Sequence, residues 1–162
     1  MNEKRKKVLD MLEQMGISYQ ITEHAPVHTI EEMEQMGICS QGTVAKNLFL
    51  RNGSGKVHYL VVVIKEKKVD LTALREQLQC SRLSFGSSQR LEKQLGISPG
   101  EVGPMGVLNN DGSVIVVFDQ DLVGNPKVGC HPNDNTATIW LPFSQIERVV
   151  REQGNPIIYL AL

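Results

Sequence analysis

At 162 residues, with 41% apolar and 22% charged side chains, the chain has the length and composition of one globular domain, residues 1–162, with a single core. A formal net charge of −1 excludes a surface that holds long nucleic acid by bulk attraction, so any contact with a phosphate backbone must be local. Three widely spaced cysteines (Cys39, Cys80, Cys130) speak against a disulfide framework, and neither a signal-peptide core nor a membrane-length apolar run is visible, so the cytoplasm is the expected location and no membrane partner is expected.

Val8, Met11, Leu12 and Met15 recur at helical spacing and Gly16 follows, predicting a first amphipathic helix over Glu3 to Met15. The cationic run Lys4, Arg5, Lys6, Lys7 within it, like Lys65, Lys67 and Lys68 later, reads as solvated surface charge. Ile17, Tyr19 and Ile21 alternate with polar residues, the pattern of a half-buried strand. Pro26 keeps His24 to Thr29 out of a central strand, and Thr29 with Glu32 forms a predicted capping box for a short helix ending at Gly37.

From Ala45 to Ile64 two apolar runs flank the turn Asn52-Gly53-Ser54-Gly55, predicting a β-hairpin with Lys46 at the start of its first strand. The second run, through Val61, Val62, Val63 and Ile64, has no polar face and is expected to be covered on both sides. Asp70 caps a predicted helix carrying Leu71, Leu74 and Leu78, and Ser87 or Ser88 caps another that ends at Gly96. The passage Gly100 to Val107 offers flexible dihedrals and exposed amides. Ser113 to Phe118 and Ala137 to Leu141 read as strands, and Ser144 with Glu147 as a second capping box before a closing helix. Helices and strands interleave without regular βαβ alternation, so the fold class is α+β: a mixed, mainly antiparallel sheet flanked by helices.

Two features could carry chemistry. A lysine where a strand leaves a glycine-containing loop, as Lys46 does, suits holding a phosphate or polarising a carbonyl, and equally suits an ordinary exposed position. The segment Cys130 to Thr136 packs imidazole, carboxylate, amides and hydroxyl into one loop, either a binding site or a series of turns. Cys130 and His131 are adjacent, and no second ligand pair has zinc spacing, so no metal is expected; a Cys-His nucleophile pair needs a proximity in space that sequence does not show. Phosphate-loop, dinucleotide, serine-elbow and zinc-protease motifs are absent.

Four stretches, His24-Ala25-Pro26-Val27-His28-Thr29, Ala45 to Arg51, Gly100-Glu101-Val102-Gly103-Pro104, and His131 through Asn135-Thr136-Ala137-Thr138, together resemble the YbaK-type aminoacyl-tRNA editing domains, and most closely their freestanding alanyl-prolyl-tRNA deacylases. The resemblance implies a pocket for the 3′ end of a mischarged proline tRNA, hydrolysis of its alanyl ester without metal or cofactor, and a possible link to prolyl-tRNA synthetase. It carries over Lys46, Gly100, Pro104 and His131 as catalytic residues, and His24, Pro26, Asn47, Gly103, Asn135 and Thr136 as substrate-binding residues. Asn133-Asp134 departs from the family's usual stretch and puts a carboxylate near a polyanionic substrate. A cysteinyl-specific deacylase of the same type and a non-catalytic module for the tRNA acceptor end are the alternative readings.

Overall fold

In the computed structural model, which describes residues 2–162, the order is α1 (Glu3–Gln14), β1 (Gln20–Glu23), α2 (Ile30–Gln35), β2 (Thr43–Arg51), β3 (His58–Ile64), α3 (Leu71–Leu78), β4 (Ser84–Phe85), α4 (Ser88–Leu95), β5 (Ile115–Asp119), β6 (Val128–Cys130), β7 (Ala137–Leu141), α5 (Phe143–Gln153) and β8 (Ile157–Leu160). Short 3₁₀ turns at Ile38–Gln41, Pro99–Glu101, Pro104–Asn109 and Gln120–Leu122 connect them. The sheet runs β1-β7-β6-β2-β3-β5-β8, with β4 paired to the far end of β2. β1 with β7, β7 with β6, and β2 with both β3 and β4 are antiparallel, whereas β6 with β2, β3 with β5 and β5 with β8 are parallel.

β3, apolar from Tyr59 to Ile64, is central for a physical reason. Leu60 and Val62 face a core built with Val8 and Leu12 of α1, Leu91 and Leu95 of α4, and Phe143, Ile146 and Val150 of α5. Tyr59 and Val61 face the opposite side, with Leu74 of α3. Alternation thus delivers apolar atoms to two layers at once. A third cluster, Val27, Met33, Ile38, Val44 and Trp140, seats α2 beside α3's face of the sheet.

Local signals explain most helix ends. Asp70 accepts from the amides of Thr72 and Ala73, Ser87 from Arg90, and Gly96 closes α4 in the left-handed region at φ 64°. Two expected caps are corrected. The Thr29 hydroxyl accepts from the Glu32 amide as expected, but the Glu32 carboxylate reaches the His28 amide. Ser144 caps nothing: α5 begins at Phe143 after Pro142, and Glu147 instead accepts from the Tyr159 hydroxyl. The expected strand from Ile17 also starts later, at Gln20, because the chain first packs Ile17 under α1, leaving β1 as an edge strand with Ile21 41% exposed. Gly100 to Val107 is not an open flexible passage; its second half winds into the 3₁₀ turn at Pro104–Asn109 with Pro104 to Leu108 buried.

β6 owes its place to a glycine. A Cβ at Gly129 would lie 2.6 Å from the Trp140 ring, which lies across the face of β6 at that glycine and carries the Lys127 ammonium 5.7 Å from its centroid. Gly129→Ala is expected to destabilise the fold by about 1 to 3 kcal/mol through overpacking, read as a lowered midpoint in thermal or urea unfolding. An unchanged midpoint would mean that Trp140 yields freely.

Candidate active site

The cleft arises where the sheet divides. β6 pairs with β2 only through Thr43 and Val44, and β4 joins β2 only at Leu50 and Arg51, so the edge of β2 between them lacks a strand neighbour. The Phe49 carbonyl accepts from Gly86 on this edge, and the two-residue period of a strand turns the Asn47 peptide the same way. Against this edge lies a cavity of ≈ 140 Å³. Its walls include Val27, Ile30 and Met33 from the α2 side, Val44 to Asn47 of β2, Pro99, Gly100 and Val102, and Gly129, Cys130 and His131.

Lys46 and Asn47, adjacent in a strand, project to opposite faces, and both border the cleft because it opens at the split edge. Every carboxylate contact of lysine among the described residues belongs to Lys4, Lys6, Lys65 or Lys67. Lys46 has none, so its charge stands half-buried and uncompensated in the cleft wall. Asn47 adds an acceptor: its Oδ1 is shut away from solvent and receives no hydrogen bond from the protein.

His131 presents a defined tautomer. Its Nδ1 lies 2.9 Å from the Ala137 carbonyl, which only accepts, so Nδ1 carries the hydrogen and Nε2 is left as an acceptor. Burial, opposed by that bond and supported by nearby His24, pushes its pKa below the usual 6.5 and favours the neutral ring. Cys130, beside it, is no thiolate nucleophile: burial pushes its thiol up to about 12.

The remaining sequence-selected residues divide between support and distance. His24 bonds through Nε2 to the Thr138 hydroxyl at 2.9 Å, and its ring centroid stands 6.3 Å from that of His131, behind the cleft wall. Asn135 donates to the Val27 carbonyl, and a Cβ at Gly100 would lie 2.8 Å from His28 Nδ1 and 3.2 Å from Asn135 Nδ2. Gly100 is therefore small because three segments converge there, not because its backbone is strained. Thr136 is turned toward Arg5 and Asp134, Gly103 and Pro104 are buried beyond the cleft, and Pro26 is exposed outside it. Of the expected set, Lys46, Asn47, Gly100 and His131 line the cavity together.

Several contributors had no local signal in the sequence. Val27, Met33 and Val44 form the apolar end of the cleft, and their alternation is interrupted by Pro26 and Gly42. Asp134 does not face the cleft at all. The residue is 4% exposed, and its carboxylate lies 2.8 Å from Arg5 Nε and accepts from the Thr136 amide and hydroxyl. Burial alone would raise its pKa, but those bonds outweigh it and hold it below the ordinary carboxylate value. The expectation that the first cationic run is solvated is corrected by the same contact: Arg5 is 6% exposed.

The aminoacyl-tRNA editing domain family model matches residues 24–149. The prolyl-tRNA editing protein ProX of Acetoanaerobium sticklandii is 45% identical over 93% of this chain and 93% of its own. Prolyl-tRNA synthetase associated domain-containing protein 1 of Danio rerio is 31% identical, covering 95% of this chain and 85% of its own. A crystal structure described as a candidate trans-editing enzyme for prolyl tRNA synthetase superposes with a TM-score of 0.75 at 20% identity, covering 99% of this chain and 98% of that one, which speaks to the fold.

Proposed function

The chain belongs to the aminoacyl-tRNA editing domain family, and from that premise we propose that it is a trans-acting hydrolase that removes alanine from mischarged proline tRNA, with residues 1–162 forming one editing domain. The observation that carries the site assignment is Lys46, an uncompensated cation in the wall of a small cleft. A half-buried ammonium with no protein carboxylate beside it is placed to meet an anion. The 3′ end of a tRNA offers both a phosphate and an ester carbonyl that becomes an oxyanion.

The chemistry is ester hydrolysis. A water oxygen attacks the aminoacyl carbonyl, the bond to the ribose oxygen breaks, and that oxygen takes a proton, leaving free alanine and tRNA. The ester is reactive already, so positioning and oxyanion stabilisation do most of the work. Lys46 holds the phosphate or the carbonyl oxygen, the Asn47 side chain accepts from a donor on the substrate, and the Gly100 backbone approaches the aminoacyl group. The neutral His131 offers Nε2 to a substrate hydroxyl or to water, and a vicinal ribose hydroxyl helps activate the water. No metal or cofactor enters this scheme.

Alanine fits the account because a pocket shaped for proline rejects a smaller amino acid by only about 1 to 3 kcal/mol per missing methylene. A second sieve is then needed. The cavity of ≈ 140 Å³, apolar at Val27, Met33 and Val44, suits a methyl side chain. The work belongs in the cytoplasm, where tRNA is charged, and prolyl-tRNA synthetase is the partner from which the mischarged tRNA would come. Side-by-side hydrolysis of alanyl and cysteinyl esters on one proline tRNA tests the amino-acid choice: alanine should leave faster, and faster loss of cysteine would transfer the assignment to a cysteinyl deacylase.

A further inference from the structure

We propose that Lys4 and Arg5, on the N-terminal helix and outside the span matched by the family model, are positioning residues that hold both loops of the hydrolytic cleft and neutralise Glu101 and Asp134, the two carboxylates whose charge acts on His131. The inference rests on the proposed hydrolytic role of that cleft. α1 ends at Gln14, before residue 24, where the span matched by the family model begins. Yet its first turns reach each loop. Lys4 Nζ lies 2.8 Å from Glu101 Oε1, in the loop that carries Gly100, and Glu101 also accepts from the Ser98 amide to close that turn. Lys7 donates to the Leu108 carbonyl and Asn109 Oδ1 just beyond.

Arg5 serves the other loop. Its Nε meets Asp134 Oδ2 at 2.8 Å, Nη1 meets Glu23 at 2.7 Å, and Nη2 donates to the Thr136 hydroxyl at 2.8 Å. A planar guanidinium with fixed donors pins three acceptors from two segments at once, a task a lysine could not copy. The loop it holds runs from His131 to Thr136, with Asn133 in the left-handed region at φ 58° and its side-chain amide donating to the Met105 carbonyl. Asn135 and Thr136 in turn take backbone hydrogen bonds from Val27 and His24. Through α1, the Gly100 loop, the His131 loop and the His24 segment become one body.

The electrostatic consequence concerns His131. The charged and titratable groups acting on it are His24, which disfavours its protonation, and Asp134 and Glu101, which favour it. Each of those two carboxylates has an α1 cation as its partner. Removing the cation exposes His131 to the carboxylate's full field, so the ring takes up a proton at higher pH and loses the Nε2 acceptor.

The test uses Lys4→Met and Arg5→Met in the full chain, with the double variant Arg5→Met/Asp134→Asn, which removes the orphaned charge. Lys4 is partly exposed, so Lys4→Met keeps the test open even if Arg5→Met fails to fold. Two readouts are taken on folded protein: kcat and KM for alanylated proline tRNA across pH, and the His131 imidazole titration by NMR, assigned by the signal missing in His131→Gln. The expected result is a fall in kcat of about tenfold for Arg5→Met, consistent with a displaced loop, with KM little changed. The acid limb and the His131 titration should both move to higher pH in the single variants, and Arg5→Met/Asp134→Asn should restore the titration. Folded single variants with wild-type kcat, pH profile and His131 titration would overturn the inference. Wild-type protein that hydrolyses no aminoacyl-tRNA would instead remove the hydrolytic reading, while the NMR titration still decides whether α1 sets the charge state of His131.

Discussion

Lys46→Ala is expected to slow hydrolysis of alanylated proline tRNA by about 10²- to 10³-fold, the usual loss when one preorganised group that meets developing charge is removed. The fold should scarcely notice. Lys46 has no carboxylate partner among the described residues, so its removal strands no buried group and the unfolding midpoint should shift by no more than about 0.5 kcal/mol equivalent. Lys67→Ala provides the opposite pattern. It strands Asp119, which is fully buried and 2.9 Å from the Lys67 ammonium, so stability should fall while turnover of the folded enzyme persists. Single-turnover hydrolysis together with urea unfolding separates the two. A Lys46→Ala enzyme with wild-type turnover at saturating substrate would take Lys46 out of the site.

Asn47→Ala carries the second large effect, and its two readouts should move in different directions. In the free protein the Asn47 Oδ1 is buried without a donor, a penalty that alanine removes. Stability should therefore be unchanged or rise by about 1 kcal/mol. Asn47 borders the cavity, so turning its amide toward bound substrate gives this oxygen a donor such as the α-ammonium of the aminoacyl group or a ribose hydroxyl. Losing a hydrogen bond to such a group should lower kcat/KM by about 10- to 100-fold. Rising stability with falling activity marks an atom kept for its ligand. If activity holds and stability falls instead, Asn47 is a structural residue.

Local features carried a good part of this architecture. The caps at Asp70 and Ser87 and the αL glycine at position 96 are decided within one helical turn, so they are visible in a window of that size. The unbroken apolar run of β3 announced a strand covered on both faces. By contrast, β6 spans only Val128–Cys130, too short for any periodicity, and it forms because Gly129 leaves room for a tryptophan eleven positions later in the chain. Ser144 and Glu147 have the spacing of a capping box, but Pro142 already supplies the helix start and Tyr159 claims the carboxylate.

The site shows the same division. Lys46, Asn47, Gly100 and His131 stood out as motif residues and do meet around one cavity. The reason they meet, the departure of β6 from β2 after Val44, is a property of sheet topology that no single stretch displays. Asp134 looked like an obstacle to a polyanionic substrate because its partner Arg5 lies 129 positions away in the chain and sits in a run that resembles solvated charge. Gly103 and Pro104, prominent in the family resemblance, shape the turn behind the cleft rather than its wall.

The central claim is that the cleft removes a wrong amino acid and spares the right one. The most direct measurement offers the purified protein alanyl and prolyl esters of the same proline tRNA, in separate reactions at equal concentration, and follows release of the free amino acid against the uncatalysed rate. The account predicts rapid loss of alanine, with the prolyl ester decaying at its spontaneous rate. Equal hydrolysis of both, or of neither, would contradict it.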